Sequence, residues 1–289
     1  MSSKPVSNCV GELAWPDIQW FQKQSDIVMI PVGSLEQHGA HLPTLCDSLA
    51  VQEITKRISA ATDVPYYPLV WTGYAPHHLK TPEKGYGTVT LRPSTFCDLM
   101  YDIARSAIHH GWNKIIFLFG HASNAKIADP IFRKLRYDTG AMIGLYKPYS
   151  ERDLHLIRDV MTGPVEDTPG WHAGEMETSE MMAINEKWVH LDRAVKEHTH
   201  TPSYLPKSFL KEDGAADVLF ENERFLVFPM EHMEFTDSGT IGDPFAATKE
   251  KGEIVFQRYA DYGVKVIEEL KKVPSPKVFQ REFQNRCDW

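Results

Sequence analysis

Two stretches of this chain follow one plan. Ile27-Val28-Met29-Ile30 is a continuous apolar run, and Pro31-Val32-Gly33-Ser34-Leu35-Glu36-Gln37-His38-Gly39 follows it at once. Lys114 to Phe119 is a second such run, and it opens onto Gly120-His121-Ala122-Ser123-Asn124. A strand that is apolar throughout, rather than at alternate positions, suits burial on both faces of a parallel sheet. In open sheets of that kind, sites form at the carboxyl ends of the strands. Those ends carry Glu36, His38 and His121.

Glu36 and His38 are two residues apart, so an extended chain puts both side chains on one face. A carboxylate and an imidazole converging there suit zinc or a similar divalent ion. Asp47, nine residues after His38, opens a helical pattern. It reads either as a further ligand or as that helix's N-cap. His121 arrives from an independent strand end on the same side of the sheet, which strengthens the metal reading beyond either stretch alone.

The length of 289 residues allows one large domain or two small ones. A net charge of −8 without a basic block argues against nucleic acid and anionic membranes as partners. No apolar run reaches transmembrane length, and the first residues lack a signal-peptide core, so a cytoplasmic location is expected. Cys9, Cys46, Cys97 and Cys287 are scattered without a CxxC pair, which fits neither a disulfide framework nor a zinc knuckle. Cys46, beside Asp47, reads as a small buried thiol rather than a nucleophile.

The remaining elements follow from pattern. A short helix is expected over Trp15–Phe21 with Pro16 in its first turn, an amphipathic helix over Asp47–Ala61, and a strand over Tyr66–Val70. Residues 73–88 form a polar loop containing His77, His78, Lys80, Lys84 and Tyr86; the histidines either reach the site or are plain exposed loop residues. Helices are expected over Phe96–His110, capped by Ser94 or Thr95 and stopped by Gly111, over 125–138 with Pro130 inside, and over 150–163. Ala141–Tyr146 reads as a further parallel strand. His172 and Glu177, five apart, cannot share a helix face, so a common site needs His172 in the loop before the helix that contains Glu177. Acidic residues at such a helix start are also favoured by the macrodipole alone. Residues 192–245 look like a loop-rich excursion over the surface or toward a neighbouring subunit, with an edge strand near Phe225–Phe228. Lys249–Lys272 closes the core as an amphipathic helix with Ile254, Tyr259, Val264, Ile267 and Leu270 toward the inside. No internal repeat or domain boundary is visible, so one domain is expected, with its core over about 15–272 and a peripheral tail over 273–289.

Three separated segments together resemble the creatininase (creatinine amidohydrolase) family: the 31–39 stretch with Asp47, Gly120-His121, and His172-Ala173-Gly174-Glu175-Met176-Glu177-Thr178-Ser179. The resemblance implies a three-layer α/β/α fold with a mainly parallel central sheet. It also implies two divalent ions per chain (zinc, manganese or iron) and a homo-oligomer, often a hexamer. Carried over by motif, Glu36, His38, Asp47 and His121 would be metal ligands, with Asp47 bridging. Glu177 would complete the shell or sit beside it, and His172 would be the acid/base. Creatininase itself has an acidic ligand where this chain has Ser123, and an aromatic residue where it has Ala122. Its substrate-covering tryptophan has no counterpart near Lys147–Ser150. Creatinine is therefore not the expected substrate.

The expected chemistry is attack by a metal-bridging hydroxide, available at neutral pH because coordination lowers a water's pKa from 15.7 to about 7, on a small polar cyclic substrate. An amide or lactam C–N bond is the first expectation. Hydrolysis of a C–C bond in an oxidised, inositol-type cyclic diketone is the second, because such a centre serves both. His78, Lys80, Tyr86, Asn124 and Trp171 are the expected substrate contacts. A non-catalytic metal-binding oligomeric scaffold is a third reading, favoured only by Ser123.

Overall fold

The computed structural model describes residues 4–79, 85–149, 154–163 and 172–282. The two apolar runs form β1 (Ile27–Val32) and β2 (Lys114–Phe119), paired in parallel with Ile27 opposite Lys114 and Val32 opposite Phe119. The third strand, β3 (Met142–Tyr146), pairs in parallel on the far side of β2. Every residue of β1 and β2 is buried. Alternation then divides them. Ile27, Met29, Ile116 and Leu118 enter one apolar cluster, while Val28, Ile30, Val32, Ile115, Phe117 and Phe119 enter another.

Helices cover both faces. On the first lie α2 (Cys46–Thr62), through Val51, Ile54 and Ile58, and α6 (Lys249–Lys272), through Val255, Phe256, Tyr259 and Ile267. On the second lie α1 (Trp15–Gln22), α3 (Pro93–His109) and α4 (Ala122–Thr139), through Phe21, Phe96, Met100, Ile108, Ile131 and Leu135. The fold is thus the three-layer α/β/α arrangement with a parallel sheet. α5 (Glu175–Asn185) packs against α6 and α2, which also pack on each other.

Local chemistry shifts several elements from their expected form. Residues 66–70 lie alongside β1 but make only isolated parallel bridges, Met29 with Tyr66 and Val32 with Val70. Pro31 and Pro68 each lack the N–H that a continuous ladder needs. Residues 154–163 are a succession of turns rather than a helix: Leu154 O accepts from both Ile157 and Arg158, and Ile157 O from both Val160 and Met161. The start of that expected helix, 150–153, lies outside the described residues. α3 begins at Pro93, pre-set for the first helical position, and neither Ser94 nor Thr95 caps it. Ile254 is on the outer side of α6, with Val255 and Phe256 taking the inner positions. Residues 274–282 are tied to the body: Arg105 donates to the carbonyls of Gln280 and Glu282, and Phe279 N–H to Thr139 O.

The excursion over 192–245 contains a hairpin, β4 (Asp217–Phe220) and β5 (Glu223–Val227). Glu221 and Asn222, both at positive φ, form its two-residue turn. Val218, Met230, Phe235 and Ile241 make a small core of their own, which holds this segment over the carboxyl ends of β1 and β2. Among the described residues no helix is long and apolar enough to cross a membrane.

Candidate metal centre

Two glycines bring α2 against the strand ends. A Cβ on Gly33 would stand 2.1 Å from Ser48 Oγ and 2.4 Å from its Cα; one on Gly120 would stand 2.3 Å from the Asp47 carbonyl oxygen. With hydrogen in those places, the first turn of α2 closes on both strands. Asp47 is therefore held between the Glu36/His38 loop and His121. It is not the N-cap, which is Leu45.

The two carboxylate oxygens of Asp47 face different histidines: Oδ1 is 3.5 Å from His38 Nε2, and Oδ2 is 3.2 Å from His121 Nδ1. Glu36 Oε2 is 3.3 Å from His121 Nδ1, and Glu177 Oε2 is 3.7 Å from His38 Nε2. Two donors bound to one ion at about 2.1 Å in tetrahedral geometry stand about 3.4 Å apart. Glu36, Asp47 and His121 could hold one ion, and His38, Asp47 and Glu177 a second.

The far side of each histidine fixes which nitrogen faces inward. His38 Nδ1 is 3.1 Å from Glu36 O, and His121 Nε2 is 3.1 Å from Tyr74 O. A carbonyl only accepts, so those nitrogens carry the proton of the neutral rings, and the bare ones turn toward Asp47. His38 Nε2 and Asp47 Oδ2 are buried without a hydrogen-bond partner. Buried polar atoms are normally satisfied, and orphans of this kind, aimed at a shared centre, fit a cation.

The electrostatics agree. Burial opposes charge on His38, yet the Asp47 and Glu177 carboxylates outweigh it and push His38 up to about 10. Burial likewise opposes charge on His121, and Glu36 and Asp47 raise it to about 8. Burial pushes Glu177 up to about 7. Without ions, this carboxylate cluster draws protons to the positions where positive charge is wanted.

His172 lies in the loop before α5, at φ 25°, followed by Ala173 at φ 62°. Two non-glycine residues in the left-handed region cost about 1–3 kcal/mol each, a strain typical of functional sites. The Ala173 N–H donates to Glu177 Oε2, and Ile241 N–H to the His172 carbonyl. The His172 ring stacks between His38 and His78, with centroids 4.3 and 4.6 Å away. Burial and the neighbouring imidazoles depress His172 well below its ordinary value, leaving it neutral.

A cavity of about 360 Å³ opens onto these groups, walled by Tyr74, Lys126, Tyr149, Met230, His232 and Phe235. His77, His78 and Ser123 also line it. Asn124 does not: its amide accepts from Tyr74 N–H and donates to Gly33 O, so both ends are consumed by backbone, not left for substrate. Tyr86 is 74% exposed and is also not among the residues that wall the cavity. Lys80, Lys84 and Trp171 lie outside the described residues. Cys46 is fully buried; burial first, then the Glu177 and Asp47 charges, push its thiol well up, which suits an inert group. Sequence reasoning missed Gln37 and His232. Gln37 should point away from Glu36 and His38 in an extended chain, but the turn after β1 rotates it inward. His232 lies in a loop segment without any motif.

The chain matches the creatinine amidohydrolase family model over residues 11–267. It is 28% identical to a 3-dehydro-scyllo-inosose hydrolase of Thermotoga maritima over 264 residues, covering 89% of this chain and 81% of that one. It is also 28% identical to the creatinine amidohydrolase of Pseudomonas putida over 261 residues, covering 86% and 91%. Among solved structures, a creatininase described with Mn superposes with a TM-score of 0.71 at 26% identity, covering 92% of this chain and all of the other. The chain therefore belongs to the creatininase family, as a metal-dependent hydrolase on that family's fold.

Proposed function

We propose that two divalent ions, zinc or manganese, bind this site and that the protein opens a small, polar, cyclic substrate by hydrolysis, at a C–N bond of an amide or lactam. One observation carries the reading: the two oxygens of Asp47 face two histidines whose inward nitrogens are both bare. Glu36, Asp47 and His121 would hold one ion, and His38, Asp47 and Glu177 the other. Ions bound there supply Lewis acidity and a water whose pKa falls from 15.7 to about 7.

The chain's own residues do the rest. Ser34 Oγ–H donates to Glu36 Oε2 at 2.7 Å and holds that carboxylate in place. The Ala173 N–H fixes Glu177. His172, neutral and facing the cavity, donates its proton to the departing nitrogen. Met230, Phe235 and Ile241 exclude bulk water from one side of the cavity. The imidazoles of His77 and His232 offer hydrogen bonds to a hydroxylated or carbonyl-bearing ring, whereas both nitrogens of His78 are taken up by Gln37 and Glu36.

A second reading keeps the same groups and breaks a C–C bond in a cyclic diketone, with His172 protonating carbon. The polar imidazole wall and the Thermotoga relative favour it. A homohexamer fits the exposed apolar face of β5, where Phe225 is 85% exposed. The test is a panel of cyclic amides and cyclic diketones offered to protein loaded with zinc or manganese. Opening of an amide supports the first reading and opening of a diketone the second. Binding of two ions without turnover of any ring would favour a scaffold.

A further inference from the structure

Gln37 stands at the centre of three imidazoles. Its Nε2 is 2.9 Å from His172 Nε2, 3.1 Å from His78 Nδ1 and 3.4 Å from His232 Nδ1. All four side chains are at least nine-tenths buried. The orientation of the amide is fixed from its other end, where Oε1 accepts from Gly39 N–H at 3.0 Å. The backbone N–H of Gln37 is held as well, donating to Thr88 Oγ1. There is no slack around it: a Cβ on Gly239 would lie 2.3 Å from Gln37 Oε1.

An amide nitrogen has two protons and no acceptor capacity. The two nearest nitrogens, His172 Nε2 and His78 Nδ1, receive them. The third, His232 Nδ1, also has Thr236 Oγ1 at 3.3 Å. A ring nitrogen that accepts carries no proton, so each neutral ring bears its proton on the opposite nitrogen. For His78 that is Nε2, 3.2 Å from Glu36 Oε1, where an N–H is needed to meet a carboxylate. The pattern is self-consistent: one amide satisfies His78 on one side, and the carboxylate satisfies it on the other. For His172 the proton falls on Nδ1, which faces Glu36 Oε1 at 3.8 Å.

Stacking alone does not achieve this. The rings of His38 and His78 on either side fix the plane of the His172 ring, at interplanar angles of 25° and 14°. A half-turn of the ring within that sandwich would exchange its two edges at little cost in stacking. A hydrogen-bond donor at one edge distinguishes them.

We propose that Gln37 is a positioning residue, whose side-chain amide selects the form of His172 that carries its proton on Nδ1, the nitrogen turned toward Glu36. The catalytic consequence rests on the proton-donor role given to His172 above; the proton pattern itself does not. Gln37→Glu keeps the shape but offers acceptors in place of donors, so His172 and His78 must turn their protons toward position 37. Gln37→Met keeps the length and offers neither.

The experiment uses zinc-loaded protein labelled with 15N-histidine, with the His172 signals assigned by their loss in His172→Asn. The expected result is a protonated Nδ1 and a bare Nε2 in the wild type, and the reverse in Gln37→Glu, with zinc per chain unchanged. On the ring that the wild type opens, kcat should fall about 100-fold in Gln37→Glu, the low end for removal of a general acid, with KM changed much less. If Gln37→Glu does not fold, Gln37→Met should give both ring forms of His172 and a smaller fall in kcat. A wild-type His172 protonated on Nε2 overturns the proposal, as does a Gln37→Glu protein that keeps the Nδ1 proton. The expected proton pattern together with full turnover by His172→Asn supports the positioning role and overturns the donor role of His172.

Discussion

Gly120 sits so close to Asp47 that a Cβ at position 120 would stand 2.3 Å from the Asp47 carbonyl oxygen. The contact ties the end of β2 to the first turn of α2, and so sets the distance between His121 and Asp47. Gly120→Ala must push the helix away. The expected outcome is a loss of about 1–3 kcal/mol in unfolding free energy, the usual cost of overpacking, together with loss of bound metal. Gly144→Ala is the control, because its nearest neighbour is the tip of the Ile116 side chain at 3.0 Å, which can move. Denaturant unfolding and elemental analysis of the two variants check the difference.

Removal of metal should change how stability depends on pH. In the metal-free site His38, His121 and Glu177 have raised proton affinities, at about 10, 8 and 7. Between the unfolded-state values and these, the folded protein holds more protons than the unfolded chain. Stability from these groups is therefore complete at low pH and is lost as pH rises from about 5 to 10. His77, His172 and His232 are depressed by burial and by one another. They act oppositely, and stability falls as pH drops below their unfolded value of about 6.5. Melting temperatures in chelator should thus peak near neutrality and decline toward pH 10. With metal restored, the alkaline decline should flatten, because ions replace the protons.

Asn124 is a brace rather than a substrate contact. Its amide links Gly33 O to Tyr74 N–H while fully buried. Asn124→Ala leaves two backbone groups unpaired and should cost about 2–6 kcal/mol of stability, at about 1–3 for each. Tyr86→Ala, at an exposed position, should leave stability and KM unchanged. Thermal unfolding and steady-state kinetics on the two variants separate the cases. A raised KM in Tyr86→Ala would restore that residue to the site.

Much of this was readable in the chain because it depends on short-range pattern. Unbroken apolar runs specified β1 and β2, and their glycine-ended edges located Glu36, His38 and His121. What was not readable depends on contacts far apart in sequence. Tyr66–Val70 has the composition of a strand, but prolines on both partners interrupt its ladder. Asn124 lies in the same polar run as His121, and only the approach of Gly33 and Tyr74 shows that its amide is occupied. His232 reaches the cavity because a small separate core formed by Val218, Met230, Phe235 and Ile241 folds the excursion back. Gln37 lies between two expected ligands, and the turn that brings it inward is set by Gly39 and Gly239, two hundred residues apart.

The central claim is that Asp47 is shared between two ions held by different histidines. Metal bound per chain, measured by elemental analysis on wild type, His38→Ala, His121→Ala and Asp47→Ala, tests it most directly. The expected series is two, one, one and none, with the fold retained by circular dichroism. A single ion in the wild type, lost equally in both histidine variants, would contradict it.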